Sequence, residues 1–136
     1  MMEYIDLGLP SGNLWAVENE EGYYTFDEAV AKFGDNLPTK EDFEELIKHC
    51  WKRWDDERKG LEFMGDNGAK IFLPASGFRN GSDVSNMQGN GYYWSDTPFG
   101  SLSAYGLYFD SEYAGLNYDC CYGGQSVRLI KRGGEQ

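Results

Sequence analysis

The chain has 136 residues and a formal net charge of -11, with 12 Lys and Arg against 23 Asp and Glu. This length suits a single domain, residues 1–136, with its own hydrophobic core, and the negative charge excludes nucleic acid and anionic membrane surfaces, which are bound through clustered basic side chains. An aromatic content of 16% excludes a disordered acidic chain, because such chains lack the side chains that build a core.

The N-terminal part of the sequence predicts two short strands and a helix. Residues 3–9 alternate polar and apolar side chains, a Pro-Ser-Gly turn follows, and residues 13–17 predict a second strand. At Thr25 the apolar period changes to that of a helix. Thr25 and Glu28 have the spacing of a capping box, and Gly34 is suited to end the helix.

A second helix is predicted over residues 39–54. Thr39 and Asp42 repeat the capping box, acidic residues occupy the first turns and basic residues the last. One helical stripe, predicted to face the core, contains Phe43, Leu46, Ile47, Cys50 and Trp54.

From residue 60 onwards the apolar residues repeat with a period of two, which is typical of strands. An Asp-Asn-Gly turn predicts a hairpin between residues 61–64 and 69–73. Further strands are predicted at residues 91–95, 104–109, 115–118 and 126–131. Helices followed by a run of strands indicate an α+β domain, with two helices packed on antiparallel β-sheet.

Residues 80–127 contain no lysine and no arginine. They hold seven of the ten tyrosines, together with eight glycines, seven serines and four asparagines. Antibody binding surfaces are rich in the same residue types, because tyrosine supplies rigid contact area and the small polar residues supply adaptable hydrogen bonds. A glycine-rich series of strands and turns has a similar composition, so composition alone leaves both interpretations open.

Five stretches in chain order carry a family resemblance: EYIDLGLPSGNLWA at 3–16, LPTKEDFEEL at 37–46, IFLPASGFR at 71–79, GYYWS at 91–95 and SVRL at 126–129. The chain resembles the Fibrobacter succinogenes major paralogous domain. The resemblance implies a C-type lectin-like fold, in which the first and last strands pair, two helices flank them, and a long irregular β and loop region carries the ligand. The chain departs from the family where a compact acidic stretch, residues 17–24, replaces a longer insert.

Some proteins of this fold are the variable proteins of diversity-generating retroelements, in which error-prone copying of adenines changes asparagine codons into a restricted set of residues. That set includes Asn, Ser, Asp, Tyr, Gly and Cys but excludes Lys, Glu, Gln, Trp and Met. The resemblance therefore implies a variable, ligand-binding region at about residues 80–125, followed by a constant end. The expected function is non-catalytic recognition of a receptor or surface by a gut bacterial or phage protein.

Strand alternation selects the outward positions of this region. If Leu107 points inward, Tyr105 shares its face and Tyr108 points outward. The same reasoning applied to Leu116 directs Asn117 and Asp119 outward. The predicted ligand-binding residues, expected on one contiguous exposed face, are Asp83, Ser85, Asn86, Asn90, Ser101, Ser103, Tyr105, Tyr108, Asp110, Tyr113, Asn117, Asp119, Cys121 and Tyr122.

Two alternatives compete with recognition. Formylglycine-generating enzymes share this fold and use cysteines or a copper site, and Cys120 and Cys121 lie in the corresponding half of the chain. A nucleophilic cysteine needs a base or a positive field to lower its pKa, and the only histidine, His49, lies on the second predicted helix. We therefore expect free thiols and no catalytic residue. The other alternative is a structural surface module without a dedicated ligand site.

The sequence predicts neither a metal nor another cofactor. Trp94-Ser95-Asp96 is similar to the Trp-Asn-Asp motif of calcium-dependent lectins, but the Glu-Pro-Asn or Gln-Pro-Asp tripeptide of their sugar site does not occur. Calcium takes about six to eight oxygen ligands from several groups. His49 and Cys50 alone do not complete a tetrahedral site.

The expected partner is a protein or a glycan on a cell or phage surface. The chain shows no basic, apolar leader and no apolar stretch long enough to span a bilayer, so neither a signal peptide nor membrane insertion is predicted. Display at a cell surface or on a phage particle would then depend on another component, and otherwise the chain is expected in the cytoplasm. The sequence leaves open the ligand and whether the domain forms homo-oligomers.

Overall fold

The α+β architecture consists of two short helices and several antiparallel sheets, in a computed structural model that describes residues 3–85 and 88–133. The predicted site residue Asn86 lies outside these ranges. The helices are α1 (Phe26–Phe33) and α2 (Lys40–His49), and a short 3-10 helix spans Gly34–Asn36. The strands are β1 (Tyr4–Asp6), β2 (Leu14–Ala16), β3 (Trp51–Asp55), β4 (Gly60–Met64), β5 (Lys70–Pro74), β6 (Phe78–Asn80), β7 (Asp83–Ser85), β8 (Gly91–Phe99), β9 (Ser103–Phe109), β10 (Ala114–Cys120) and β11 (Ile130–Lys131).

Both helices begin at the predicted capping boxes. The Thr25 hydroxyl accepts a hydrogen bond from the Glu28 N–H at 3.2 Å, and the Glu28 carboxylate accepts one from the Thr25 N–H at 2.8 Å. Thr39 and Asp42 repeat this exchange at 3.0 and 2.8 Å. Each box satisfies two N–H groups that have no partner within the helix, which explains why the starts are predictable from local sequence.

The second helix is shorter than predicted. It ends at His49, and Cys50 is already extended, with φ -115° and ψ 147°. Residues 51–55, predicted as its last turns, instead form β3 and pair with β4. The Lys52 ammonium donates to the Ile47 carbonyl at 2.6 Å and thereby closes the helix end. The prediction is wrong here because β4 offers residues 51–55 a complete ladder of backbone partners, and this tertiary pairing overrides the local helical pattern.

Antiparallel pairing organises the strands into the sheets β1-β2-β11, β3-β4-β5 and β8-β9-β10, plus the hairpin β6-β7. The predicted hairpin around residues 65–69 is confirmed by the β4–β5 pair. The last strand pairs with β2 and not with the first strand, so that expected pairing is wrong. The predicted strand at 126–131 is reduced to Ile130–Lys131, and the β6–β7 hairpin was not predicted.

Two hydrophobic clusters cover the two faces of the β8-β9-β10 sheet. Helix α2 contributes Phe43 and Leu46 to the first cluster, together with Leu107 and Phe109 of β9. Helix α1 packs on the opposite face, where Phe26 contacts the Trp94 ring edge-on at 5.6 Å. Helix α1 spans only eight residues, and Phe78 of β6 packs against Tyr92 on another part of the same face.

Arg128 is a buried cation held by neutral acceptors. Only 1% of its surface is exposed. Its guanidinium donates to the Asn19 side-chain oxygen at 2.8 Å, the Ala16 carbonyl at 2.9 Å and the Phe72 carbonyl at 2.6 Å. Burial lowers the pKa of Arg128 from its ordinary value. The side chain therefore joins β2, the following loop and β5 to the C-terminal segment.

We expect Asp55→Asn to lower the melting temperature at neutral pH. The Asp55 carboxylate accepts from the backbone N–H groups of Arg58 and Glu57 in the β3–β4 turn, which lowers its pKa to about 2. A carboxyl group with a depressed folded-state pKa stabilises the fold fully above its unfolded value of about 3.9. That contribution is lost as the pH falls through about 2.

Thermal unfolding from pH 7 down to about pH 2, followed by circular dichroism, measures this dependence. The melting temperatures of wild type and Asp55→Asn should converge as the pH falls. Glu44→Gln on the exposed side of α2 removes one negative charge without touching the turn and serves as the control. A constant difference between wild type and Asp55→Asn at all pH values would contradict the assigned role.

Candidate functional site

A row of aromatic rings lies on the part of the β8-β9-β10 sheet that α1 leaves uncovered. Tyr92 and Tyr108 face each other in the β8–β9 pair, on the side opposite to the buried Leu107. Phe78 of β6 contacts Tyr92 edge-on at 5.2 Å, and Tyr92 contacts Tyr108 in the same way at 5.2 Å. Tyr113 continues the row at 6.3 Å from Tyr108. We call Phe78, Tyr92, Tyr108 and Tyr113 the aromatic row.

Glycines under this sheet serve packing. Gly115 lies beneath the Tyr113 hydroxyl, Gly91 lies against the Phe109 ring, and Gly106 approaches the Tyr93 carbonyl. A methyl group at any of the three would overlap these neighbours. Gly91 and Gly106 are therefore scaffold residues, which assigns part of the glycine content of residues 80–127 to strand packing. Gly115 differs, because its neighbour is the end of the exposed Tyr113 side chain, which can move aside.

Hydrogen bonds fix the middle of the aromatic row. The Tyr108 hydroxyl accepts from the Asn90 side-chain amide at 2.7 Å and donates to the Asp110 carboxylate at 2.9 Å. The pKa of Asp110 is lowered, chiefly because its carboxylate accepts the Glu112 backbone N–H at 2.8 Å. Burial, assisted by the bond to Asp110, raises the pKa of Tyr108. Tyr108 is consequently a neutral phenol in a fixed orientation at physiological pH.

A cleft of about 360 Å³ adjoins the row on the side of β6 and the C-terminal segment. Gln125 is 4% exposed, and its amide donates to the Asp119 carboxylate at 3.1 Å. The Arg79 side chain runs past Gly124 to Glu28 on α1, with nitrogen and oxygen 3.8 Å apart. The cleft is lined by Phe78, Arg79, Asn80, Tyr92, Asp119, Cys120, Tyr122, Gly123 and Gln125.

The predicted ligand-binding residues do not all lie around the row and the cleft. Those in or beside the row and the cleft are Asn90, Tyr108, Asp110, Tyr113, Asp119 and Tyr122. Asp83 and Ser85 pair with Asn80 and Phe78 in the adjacent hairpin. Asn117 is exposed opposite Gly106. Predicted residues outside this region are Ser101, Ser103, Tyr105 and Cys121.

Tyr105 belongs to a second aromatic group on the α2 side of the sheet. Its ring contacts Phe99 at 5.3 Å, and Phe99 stacks on Tyr118 at 4.1 Å. The Lys40 ammonium lies 4.7 Å from the centre of the Tyr105 ring. Ser101, Ser103 and Cys121 line a smaller cleft beside Phe26. The single contiguous face expected from the sequence is therefore reduced to the residues around Tyr108.

Sequence reasoning missed seven of the nine residues that line the cleft: Phe78, Arg79, Asn80, Tyr92, Cys120, Gly123 and Gln125. Tyr92 lies in the GYYWS stretch that carries the family resemblance, and it alternates with the buried Tyr93 and so faces the opposite side. The Gly81-Ser82 pair, with Gly81 at φ 64°, is a turn signal that would have predicted the β6–β7 hairpin. No feature of the neighbouring sequence marks Gln125 as a residue of the cleft.

The three cysteines are free thiols. Burial raises the pKa of Cys50 to about 11. Burial and the nearby Asp27 raise the pKa of Cys121 above its ordinary value. Both shifts reduce the thiolate fraction at neutral pH, and the thiolate is the nucleophilic form.

Within residues 3–85 and 88–133, no three His, Cys, Asp or Glu side chains come together in a way that could hold a metal ion. No helix in these ranges is long and apolar enough to cross a membrane. The chain matches no protein-family model, no curated protein and no solved structure.

Proposed function

We propose that this domain is a non-catalytic recognition module that binds a protein or glycan ligand through the aromatic row and the adjoining cleft. The observation that carries the proposal is that four aromatic rings lie in one row beside a cleft with polar groups at its base. Tyrosine is favoured in such surfaces because its large ring loses little conformational entropy on binding. Tyr113 and Tyr122 are 58% and 73% exposed, so their rings have apolar area left to bury.

We also propose a C-type lectin-like fold of the Fibrobacter succinogenes major paralogous type. The two helices, the short N-terminal and C-terminal strands in one sheet, and the long β and loop region between them support it.

Within this proposal, residues 80–125 are diversified by a retroelement. The residue types at the outward positions around Tyr108, namely Asn, Asp and Tyr, belong to the set that adenine copying generates. Sequencing the genomic locus tests this: a nearby repeat that differs from the gene only at adenines is expected. A locus without such a repeat or a reverse transcriptase would refute diversification and leave the recognition role untouched.

We expect Tyr108→Ala to weaken ligand binding by about 2 kcal/mol, or roughly thirtyfold, because central aromatic residues carry most of the energy of an interface. Glycan and protein arrays probed with wild type identify the ligand, and titration of that ligand gives the affinities. The matched control is Tyr118→Ala, which removes a tyrosine that is 52% exposed on the opposite face of the same sheet.

The control should retain wild-type affinity, and circular dichroism should show that both variants remain folded. Equal losses in Tyr108→Ala and Tyr118→Ala would contradict the assignment of the ligand face. Unchanged binding by Tyr108→Ala would contradict the role of the aromatic row.

A further inference from the structure

We propose that the cleft beside the aromatic row binds an arginine side chain presented by a protein partner. The proposal rests on the recognition role above and specifies the chemical group that the ligand presents. The partner is thus a protein surface with an exposed arginine, and a neutral glycan is the competing outcome.

The base of the cleft offers hydrogen-bond acceptors. Gln125 donates its amide to one oxygen of Asp119, which leaves the other Asp119 oxygen and the Gln125 side-chain carbonyl without a donor among the described residues. Gln125 is 96% buried, so its carbonyl oxygen has little access to solvent outside the cleft. Two neighbouring acceptors, one of them charged, suit a group that carries several N–H donors in one plane. Guanidinium is the side-chain group with that property.

The walls of the cleft suit the rest of an arginine side chain. Phe78 and Tyr92 lie edge to face at 5.2 Å, and the exposed Tyr122 also lines the cleft. Aromatic faces attract a guanidinium plane through cation–π contact and cover its alkyl stem. A volume of about 360 Å³ accommodates one long side chain but not a folded element.

The charges around the cleft select a cation. Residues 80–127 carry five acidic residues and no Lys or Arg. Arg79 also lines the cleft, and its guanidinium pairs with the Glu28 carboxylate on α1 at 3.8 Å. At the far end of the aromatic row, Lys52 directs its ammonium to the carbonyls of Ile47 and Cys50. An incoming arginine therefore meets the Asp119 carboxylate, while the Arg79 guanidinium that also lines the cleft is paired with Glu28.

The test uses the whole domain and a pair of labelled peptides. One is a short Gly/Ser peptide with spaced arginines, and the other has citrulline, which is nearly isosteric but neutral, at the same positions. Fluorescence anisotropy is expected to show about tenfold tighter binding of the arginine peptide, the size of one charge-assisted hydrogen bond. Asp119→Asn should abolish this preference while Glu44→Gln, which changes the net charge equally on exposed α2, should keep it.

A variant that is expected to bind more tightly separates an effect on binding from an effect on folding. Asn80 is exposed at the cleft edge, so Asn80→Asp adds a carboxylate there without altering the core. Its affinity for the arginine peptide should rise about threefold, and raising the salt concentration should reduce that gain. Equal binding of the two peptides, or equal losses in Asp119→Asn and Glu44→Gln, would overturn the proposal.

The outcomes separate this proposal from the recognition role. Binding of a neutral glycan that Tyr108→Ala weakens, without any arginine preference, overturns the arginine assignment and supports recognition by the aromatic row. If Asp119→Asn still prefers the arginine peptide, the arginine binds outside the cleft and the assignment of the cleft is overturned. A wild-type domain that binds neither the peptides nor any array ligand contradicts both proposals.

Discussion

Arg128→Lys is expected to lower the free energy of unfolding by about 3 kcal/mol, because one ammonium cannot replace a guanidinium that satisfies three separate acceptors. The Ala16 and Phe72 carbonyls and the Asn19 side chain lie around the guanidinium at 2.9, 2.6 and 2.8 Å. A lysine reaches at most part of this set, and each buried acceptor left unpaired costs about 1–3 kcal/mol. The melting temperature should fall by roughly 10 °C for a domain of this size.

Urea unfolding followed by tryptophan fluorescence measures this loss. Arg53→Lys is the matched control, since the Arg53 side chain is 72% exposed and its nearest carboxylate oxygen, on Glu62, is 3.6 Å away. Exposed ion pairs contribute little, so this variant should stay within about 0.5 kcal/mol of wild type. If the two variants lost similar amounts of unfolding free energy, Arg128 would contribute no more to stability than a surface arginine does.

Gly106→Ala is expected to destabilise the domain by about 3 kcal/mol, as do other insertions of a methyl group into fully packed positions. Gly106 lies in the central strand β9, and a methyl group there would overlap the Tyr93 carbonyl oxygen of β8. The obstacle is backbone in the neighbouring strand, so relief requires the two strands to move apart. The same methyl group would lie 3.5 Å from the Gln125 side-chain oxygen, at the base of the cleft.

Gly123→Ala provides the control within the same glycine-rich region. A methyl group at Gly123 has its nearest neighbours at 3.8 Å, which is ordinary van der Waals contact. Its unfolding free energy should therefore lie within about 0.5 kcal/mol of wild type. If both variants were equally stable, Gly106 would be replaceable and the glycines of residues 80–127 would not divide into scaffold and surface positions.

The sequence alone determined the features that depend on neighbouring residues. The capping boxes at Thr25 and Thr39 predicted both helix starts, because a cap is formed by side chains three residues apart. The Asp-Asn-Gly turn predicted the β4–β5 hairpin for a similar reason. Alternation placed Leu107 and Tyr108 on opposite faces of β9, and the burial of Leu107 agrees with it.

Tertiary structure decided everything that depends on distant partners. Residues 51–55 form a strand because β4 supplies their hydrogen bonds. Gly91 and Gly106 are scaffold because a buried ring and a backbone carbonyl of other residues occupy the space of a side chain. The cleft brings β6, β8 and the segment around Gln125 together from positions far apart in the chain. A composition rich in Tyr, Ser, Gly and Asn cannot encode such contacts. The composition does not change when a tyrosine moves from one face of the sheet to the other.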